Sequence, residues 1–264
     1  MPHVARATAA AGGSAAARRP PLTLVLEAST AHGSVAVVSD NAVVAQIAVA
    51  TGRSQHEHLM PAVAAVLEQA GVGVADLARV VCGSGPGSFT SLRIAAAVGK
   101  GLVSRAGGPR LASVPSLLLI VAGAADGLAD GAYIPSIDAL RGERHAALVT
   151  VVRDTSAPGP DADPDADADV DADRAAAPVI VMTRPARRLS TEAVHEWARS
   201  AGATMIGPEC SVRAWPAAIG VLRVWDAVRD ADVGSWEPDY GRLAEAEARR
   251  VAQASPDRAS GASA

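Results

Sequence analysis

The chain has 264 residues and a net charge of −4, a length that suits one large domain or two small ones. Seven aspartates in residues 161–173 and three arginines in residues 1–20 account for this charge, and the nearly neutral remainder argues against a protein that binds nucleic acid on its own. The longest strongly apolar stretch has about nine residues, too few to cross a bilayer, and the N-terminus lacks the leucine-rich core of a signal peptide, so we expect a cytoplasmic protein.

β-rich runs separated by turn residues predict an antiparallel three-stranded meander at the start of the folded chain. Its strands span 22–27, 33–38 and 42–49. A helix is predicted over 55–70, where apolar residues recur at helical spacing, and Gly71 ends it. After a short buried strand at 79–82, a Gly-rich turn leads into a second helix over 88–104.

The second half of the chain predicts the same mixture with less regular spacing. We expect a helix over 114–124, a hairpin of strands 132–138 and 146–152, a strand at 178–182, a helix over 190–201, a strand at 203–206 and a helix over 241–251. This order of elements predicts two α/β lobes that face each other.

Three segments have the composition of unstructured chain. We predict an N-terminal tail (1–20), an N-terminal lobe (21–112), a C-terminal lobe (113–250) that carries an acidic insertion (155–177), and a C-terminal tail (251–264). The alternating aspartates of the insertion lack the Gly and Glu positions of a calcium-binding loop, so we expect a solvated surface insertion.

The most specific motif is GSGPGSFTSLRI at residues 83–94. A glycine-rich turn between a strand and a helix can hold an anion on its backbone N–H groups, or it can serve as a tight packing turn. The motif is not a Walker A loop, because that loop requires a Lys after its last Gly and none is present here. It is not a dinucleotide-binding fingerprint either, because Ser88 replaces the third Gly. Small residues in the following helix, such as Ala95, Ala96 and Gly99, favour close packing.

The histidines show no metal-ligand spacing. His56 and His58 lie two residues apart at the start of the first predicted helix, where their side chains point about 200° apart and cannot share one ion. We therefore predict no metal site. Cys82 and Cys210 are too few for a disulfide framework and are expected to be buried thiols.

The segment GSGPGSFTSLRIAAAVGKGL resembles the hallmark of the TsaB (YeaZ) family, bacterial proteins of tRNA threonylcarbamoyladenosine biosynthesis. Further segments resemble motifs of that family in the same order along the chain: LVLEAST, HEHLMP, SIDALRGE and EPDYGR. Together they run from about residue 22 to 242. The chain departs from the family pattern at several positions, notably with Glu27 in place of an Asp and Ser91 in place of a Gly.

The resemblance implies an actin-like ATPase (ASKHA) superfold with two ribonuclease-H-like lobes and a degenerate nucleotide site. It implies a non-catalytic subunit that pairs with the catalytic paralogue TsaD and with the small ATPase TsaE. TsaD places threonylcarbamoyl on N6 of the adenosine 3′ of the anticodon in tRNAs that read ANN codons. ATP and metal would belong to the partner subunits, tRNA would be reached through the complex, and a homodimer is possible.

The resemblance also implies two sets of functional residues. The degenerate phosphate turn comprises Glu27, Ser29 and Thr30. The partner interface is expected on the two helices of the first lobe, at Leu59, Val63, Phe89, Leu92, Arg93, Ala95, Ala96 and Gly99.

Two other functions are considered. A metallopeptidase, the glycoprotease class, would need a His-x-x-x-His or His-Glu-x-x-His pair that the sequence lacks, and metal content would decide it. An ATP-binding kinase of the same superfold would need the Asp that Glu27 replaces, and nucleotide titration of the isolated protein would decide it.

Overall fold

The structure is a computed structural model that describes residues 20–50, 55–153 and 177–241. The strands are β1 (Leu22–Glu27), β2 (His32–Val38), β3 (Val43–Ala50), β4 (Leu77–Gly83), β5 (Arg110–Val114), β6 (Gly131–Asp138), β7 (Glu143–Val152), β8 (Val179–Ser190), β9 (Thr204–Gly207), β10 (Val212–Arg213) and β11 (Arg229–Asp230). The helices are α1 (Gln55–Ala70), α2 (Phe89–Val103), α3 (Ser116–Ala124) and α4 (Thr191–Ser200). Nearly all of the predicted tails, of the acidic insertion and of the predicted helix over 241–251 lies outside the described residues.

Two sheets share one connectivity. In the first sheet, β1, β2 and β3 form an antiparallel meander, and β1 also pairs in parallel with β4, which is followed by β5 and β11. In the second sheet, β6, β7 and β8 form the meander, and β6 pairs in parallel with β9, which is followed by β10. The predicted α/β fold with two similar lobes is therefore confirmed.

Apolar clusters arrange these elements in layers. The helices α1 and α2 cover one face of the first sheet, α3 lies between the two sheets, and α4 covers the outer face of the second sheet. Every residue from Leu117 to Ala122 is buried, because α3 is apolar around its whole surface and is enclosed on all sides. The layering places the β1–β2 turn and the β6–β7 turn on opposite sides of one cleft.

The structure differs from the predicted elements at β5 and β8. β5 precedes α3 at a place where the sequence predicts no strand, because Ala112 and Ser113 give this five-residue segment little β-rich signal. β8 continues to Ser190 instead of ending at residue 182. Its second half is an exposed edge that is rich in arginine and shows no apolar alternation. Pairing with neighbouring strands, rather than local sequence, defines both segments as strands.

Candidate functional site

β1 ends in a fully buried carboxylate, that of Glu27. Its Oε1 accepts a hydrogen bond from the Ser29 N–H at 2.6 Å, and its Oε2 accepts one from the Ser116 hydroxyl at 2.9 Å. Gly83, the last residue of β4, makes room for the carboxylate, since a Cβ there would overlap Oε2. The carboxylate is therefore enclosed by groups of its own chain.

Burial raises the pKa of the Glu27 carboxyl above its ordinary value, while hydrogen bonds from Ser29 and Ser116 oppose this shift. A carboxyl with a raised pKa binds its proton more tightly in the folded chain than in the unfolded chain. Its contribution to stability is therefore complete at pH values below the unfolded pKa, and it is lost as the pH rises through the folded pKa.

We expect Glu27→Gln to remove this pH dependence. The free energy of unfolding of the variant, relative to that of the original protein, should rise as the pH increases above 4.5, the ordinary pKa of a glutamate, because only the original protein must ionise a buried carboxyl. Urea denaturation at several pH values measures the difference. Glu68→Gln, on the exposed surface of α1, is the matched control. A difference that is equal at all pH values for Glu27→Gln would contradict the assigned shift.

Three backbone amides of the glycine-rich loop at residues 83–88 donate hydrogen bonds within the chain. The N–H groups of Ser84, Gly85 and Ser88 each donate a hydrogen bond. Their acceptors, at 2.8, 3.0 and 2.8 Å, are the Val114 carbonyl, the Ser116 hydroxyl and the Ser29 carbonyl. A Cβ on Gly87 would overlap the Ser29 carbonyl, so only glycine allows this close approach. These contacts favour the packing interpretation of the loop over an anion cradle.

A cleft of about 660 Å³ separates the β1–β2 turn and the N-terminus of α2 from the β6–β7 turn. We call it the interlobe cleft. Ser29 and Thr30 of the predicted phosphate turn line it, whereas Glu27 is not among its lining residues. Two ring pairs border it, with centroids 4.9 and 4.5 Å apart: His32 with Trp215, and Phe89 with Tyr240.

Within the described ranges, no group of three or more His, Cys, Asp or Glu side chains could hold a metal ion. His58 is exposed at the start of α1, and the side chain of His56 lies outside the part of the chain that the structure describes. No helix in that part is long and apolar enough to cross a membrane.

The family described as TsaD, tRNA N6-adenosine threonylcarbamoyltransferase, matches residues 38–178, which is more than half of the chain. The chain belongs to the TsaD family. No curated protein matches the sequence.

Two solved structures from Pseudomonas aeruginosa share the fold of this TsaD-family chain. YeaZ is 19% identical with a TM-score of 0.62, and the match covers 83% of this chain and 99% of YeaZ. An uncharacterized protein with similarity to the peptidase YeaZ is 20% identical with a TM-score of 0.64, and the match covers 84% and 100% of the two chains. The resemblance to the TsaB (YeaZ) family and the actin-like ATPase fold are thus confirmed.

Most of the predicted partner residues are buried within this TsaD-family chain. The six buried residues are Leu59, Val63, Leu92, Ala95, Ala96 and Gly99. Gly99 faces β4, since a Cβ there would lie 2.5 Å from the Cys82 Sγ. Only Arg93, which is exposed, and Phe89, which is half-buried, reach the surface. These six residues are therefore part of the chain's own interior and not of its exposed surface.

The opposite surface of the same helices carries small and apolar residues. Met60 and Ala64 of α1 are exposed, as are Ala97 and Gly101 of α2. Both helices pack on one face of the first sheet, so these residues lie on the same side of the molecule. We call these four residues the outer helical face. In the sequence this face corresponds to two pairs at i, i+4 spacing, Met60 with Ala64 and Ala97 with Gly101, which are offset from the buried stripes.

The EPDY motif fixes a C-terminal segment against α2 and the glycine-rich loop. The Asp239 N–H donates to the Ser84 carbonyl at 2.8 Å. The Tyr240 hydroxyl donates to Glu237 at 2.9 Å, and Lys100 Nζ donates to the same carboxylate at 3.3 Å. The motif therefore has a structural role in this TsaD-family fold that the sequence alone did not assign.

Proposed function

We propose that this chain is a TsaB-type scaffold subunit that binds and activates a TsaD-type catalytic paralogue. The paralogue attaches threonylcarbamoyl to N6 of the adenosine 3′ of the anticodon in tRNAs that read ANN codons. The chain itself carries out no chemical step. ATP and metal belong to the partner subunits, which include a TsaE-type ATPase, and the complex is cytoplasmic.

The enclosure of Glu27 carries this proposal. The family resemblance implies that an actin-like ATPase needs an Asp at this turn to hold metal-bound phosphate. Here both carboxylate oxygens accept hydrogen bonds from Ser29 and Ser116, and the residue is not part of the cleft lining. The carboxyl group is held by the turn's own hydrogen bonds and is not presented to the cleft, which supports a scaffold role.

The outer helical face is the proposed docking surface for the catalytic subunit. Met60 is 49% exposed there, which leaves a large apolar side chain available for burial by a partner. Ala97 and Gly101 expose little side chain, so a partner helix can approach to about 8 Å. A specific contact of this kind typically buries roughly 800 Å² on each partner. A second copy of this chain would use the same face.

Reconstitution tests the proposed function. The purified chain is mixed with its TsaD-type and TsaE-type partners, threonylcarbamoyl-adenylate, ATP and a tRNA transcript, and the modified nucleoside is measured. Modification is expected only when this chain and the TsaD-type subunit are both present. Transfer by this chain alone, or ATP hydrolysis by it that Glu27→Gln abolishes, would overturn the scaffold role.

A further inference from the structure

β8 is a twelve-residue strand at the edge of the second sheet, where its described neighbour is β7. Side chains normally alternate between the two faces of a strand, so residues three apart point to opposite faces. In β8 the register with β7 shifts between Arg187 and Arg184, and again between Arg184 and Met182. The first shift brings both arginines to the same face.

The pairing with β7 identifies that face. Arg187 lies opposite Ala146, and Arg184 lies opposite Leu148. Ala146 and Leu148 pack in the cluster formed with Val194 of α4, and directly opposed residues share a face of the sheet. Both arginines therefore lie on the α4 side. Their partners are two residues apart, which separates the arginines by roughly 7 Å along the strand.

Both arginines are exposed and have no ionic partner among the described residues. Two other arginines of this lobe are paired: Arg188 with Glu143, and Arg199 with Glu196. The two guanidinium groups of β8 thus form a small cationic site in which the described protein does not neutralise the charge.

We propose that Arg184 and Arg187 bind the phosphate backbone of the tRNA substrate, an inference that rests on the proposed function. A guanidinium donates two parallel N–H groups to a phosphate, a geometry that lysine cannot reproduce. Two such groups on one rigid strand contact neighbouring phosphates and hold the tRNA in a fixed orientation. Contacts of this kind position the substrate and do not read its sequence.

A purely protective role makes a different prediction. Charged side chains and a proline such as Pro185 also keep an edge strand from pairing with other chains. Removing the arginines would then increase aggregation and leave the affinity for tRNA unchanged.

The test uses the full chain in complex with the TsaD-type subunit and a fluorescein-labelled transcript of an ANN-decoding tRNA. The double variant Arg184→Gln/Arg187→Gln is expected to bind tRNA about tenfold more weakly, and the slope of log affinity against log salt should fall by about two. The control Arg110→Gln/Arg213→Gln removes two exposed arginines on other strands and should retain the affinity and slope of the original complex.

Size-exclusion chromatography with the TsaD-type subunit shows whether a negative result contradicts the arginine site or the scaffold role. If the double variant forms the complex but binds tRNA as tightly as the control, the arginine site is refuted and the scaffold role stands. If the original chain forms no complex, the scaffold role fails, and the same comparison on the isolated chain decides the arginine site. Loss of complex formation in the double variant alone would assign the arginines to an acidic protein surface and overturn the proposal.

Discussion

Ala97→Arg is expected to abolish co-elution with the TsaD-type subunit and to leave the chain folded. Ala97 is exposed within α2, so the free chain keeps the new guanidinium in water. At the centre of an apolar contact the same group would be buried without a partner, at a cost of about 3 kcal/mol, or roughly a hundredfold in affinity. Circular dichroism reports folding, size-exclusion chromatography reports binding, and nucleoside analysis of tRNA reports function.

Ala193→Arg is the matched control, because Ala193 is an exposed alanine on α4 of the other lobe. It should co-elute with the catalytic subunit as the original chain does. Ala64→Arg repeats the test from α1. Homodimer and heterodimer should be lost together if they share this surface. Co-elution of folded Ala97→Arg and Ala64→Arg at the original affinity would place the partner elsewhere on the molecule.

Helical periodicity identifies an apolar stripe but not what covers it. In α2 the stripe that includes Leu92, Ala95 and Gly99 is predicted to meet a partner, yet it is buried within the chain. Ala95 belongs to the apolar cluster of the first sheet, and Gly99 faces Cys82 of β4. When two helices cover one face of a sheet, the most apolar stripe of each helix is buried against that sheet. The exposed surface of these helices is the weaker stripe, whose small residues give little signal in the sequence.

Elements with a strong local signal were predicted well. The meander of β1, β2 and β3 follows from its β-rich runs and turn residues, and α4 begins where Ser190 accepts a hydrogen bond from the Ala193 N–H at 3.2 Å. The surroundings of Glu27 could not be predicted from local sequence. The motif identifies Glu27, but its enclosure depends on Ser116, which is 89 residues away along the chain, and on the space that Gly83 leaves.

Gly99→Ala and Gly101→Ala are expected to change stability in opposite directions, although both glycines lie in α2. A Cβ at position 99 would lie 2.5 Å from the Sγ of Cys82, which is fully buried in β4. Overpacking of this kind costs about 1–3 kcal/mol. A Cβ at position 101 meets nothing within 4 Å, so Gly101→Ala should raise the free energy of unfolding by up to about 1 kcal/mol through helix propensity. Urea denaturation measures both changes.

A double-mutant cycle with Cys82→Ala identifies the cause. Removing the sulfur should reduce the cost of Gly99→Ala, since the clash is with Sγ, and it should leave the gain from Gly101→Ala unchanged. The same cycle fixes the rotation of α2 about its axis, because it shows that position 99 faces the sheet and position 101 faces solvent. If the two glycines respond alike, α2 does not present Ala97 outward, and the outer helical face loses its structural basis.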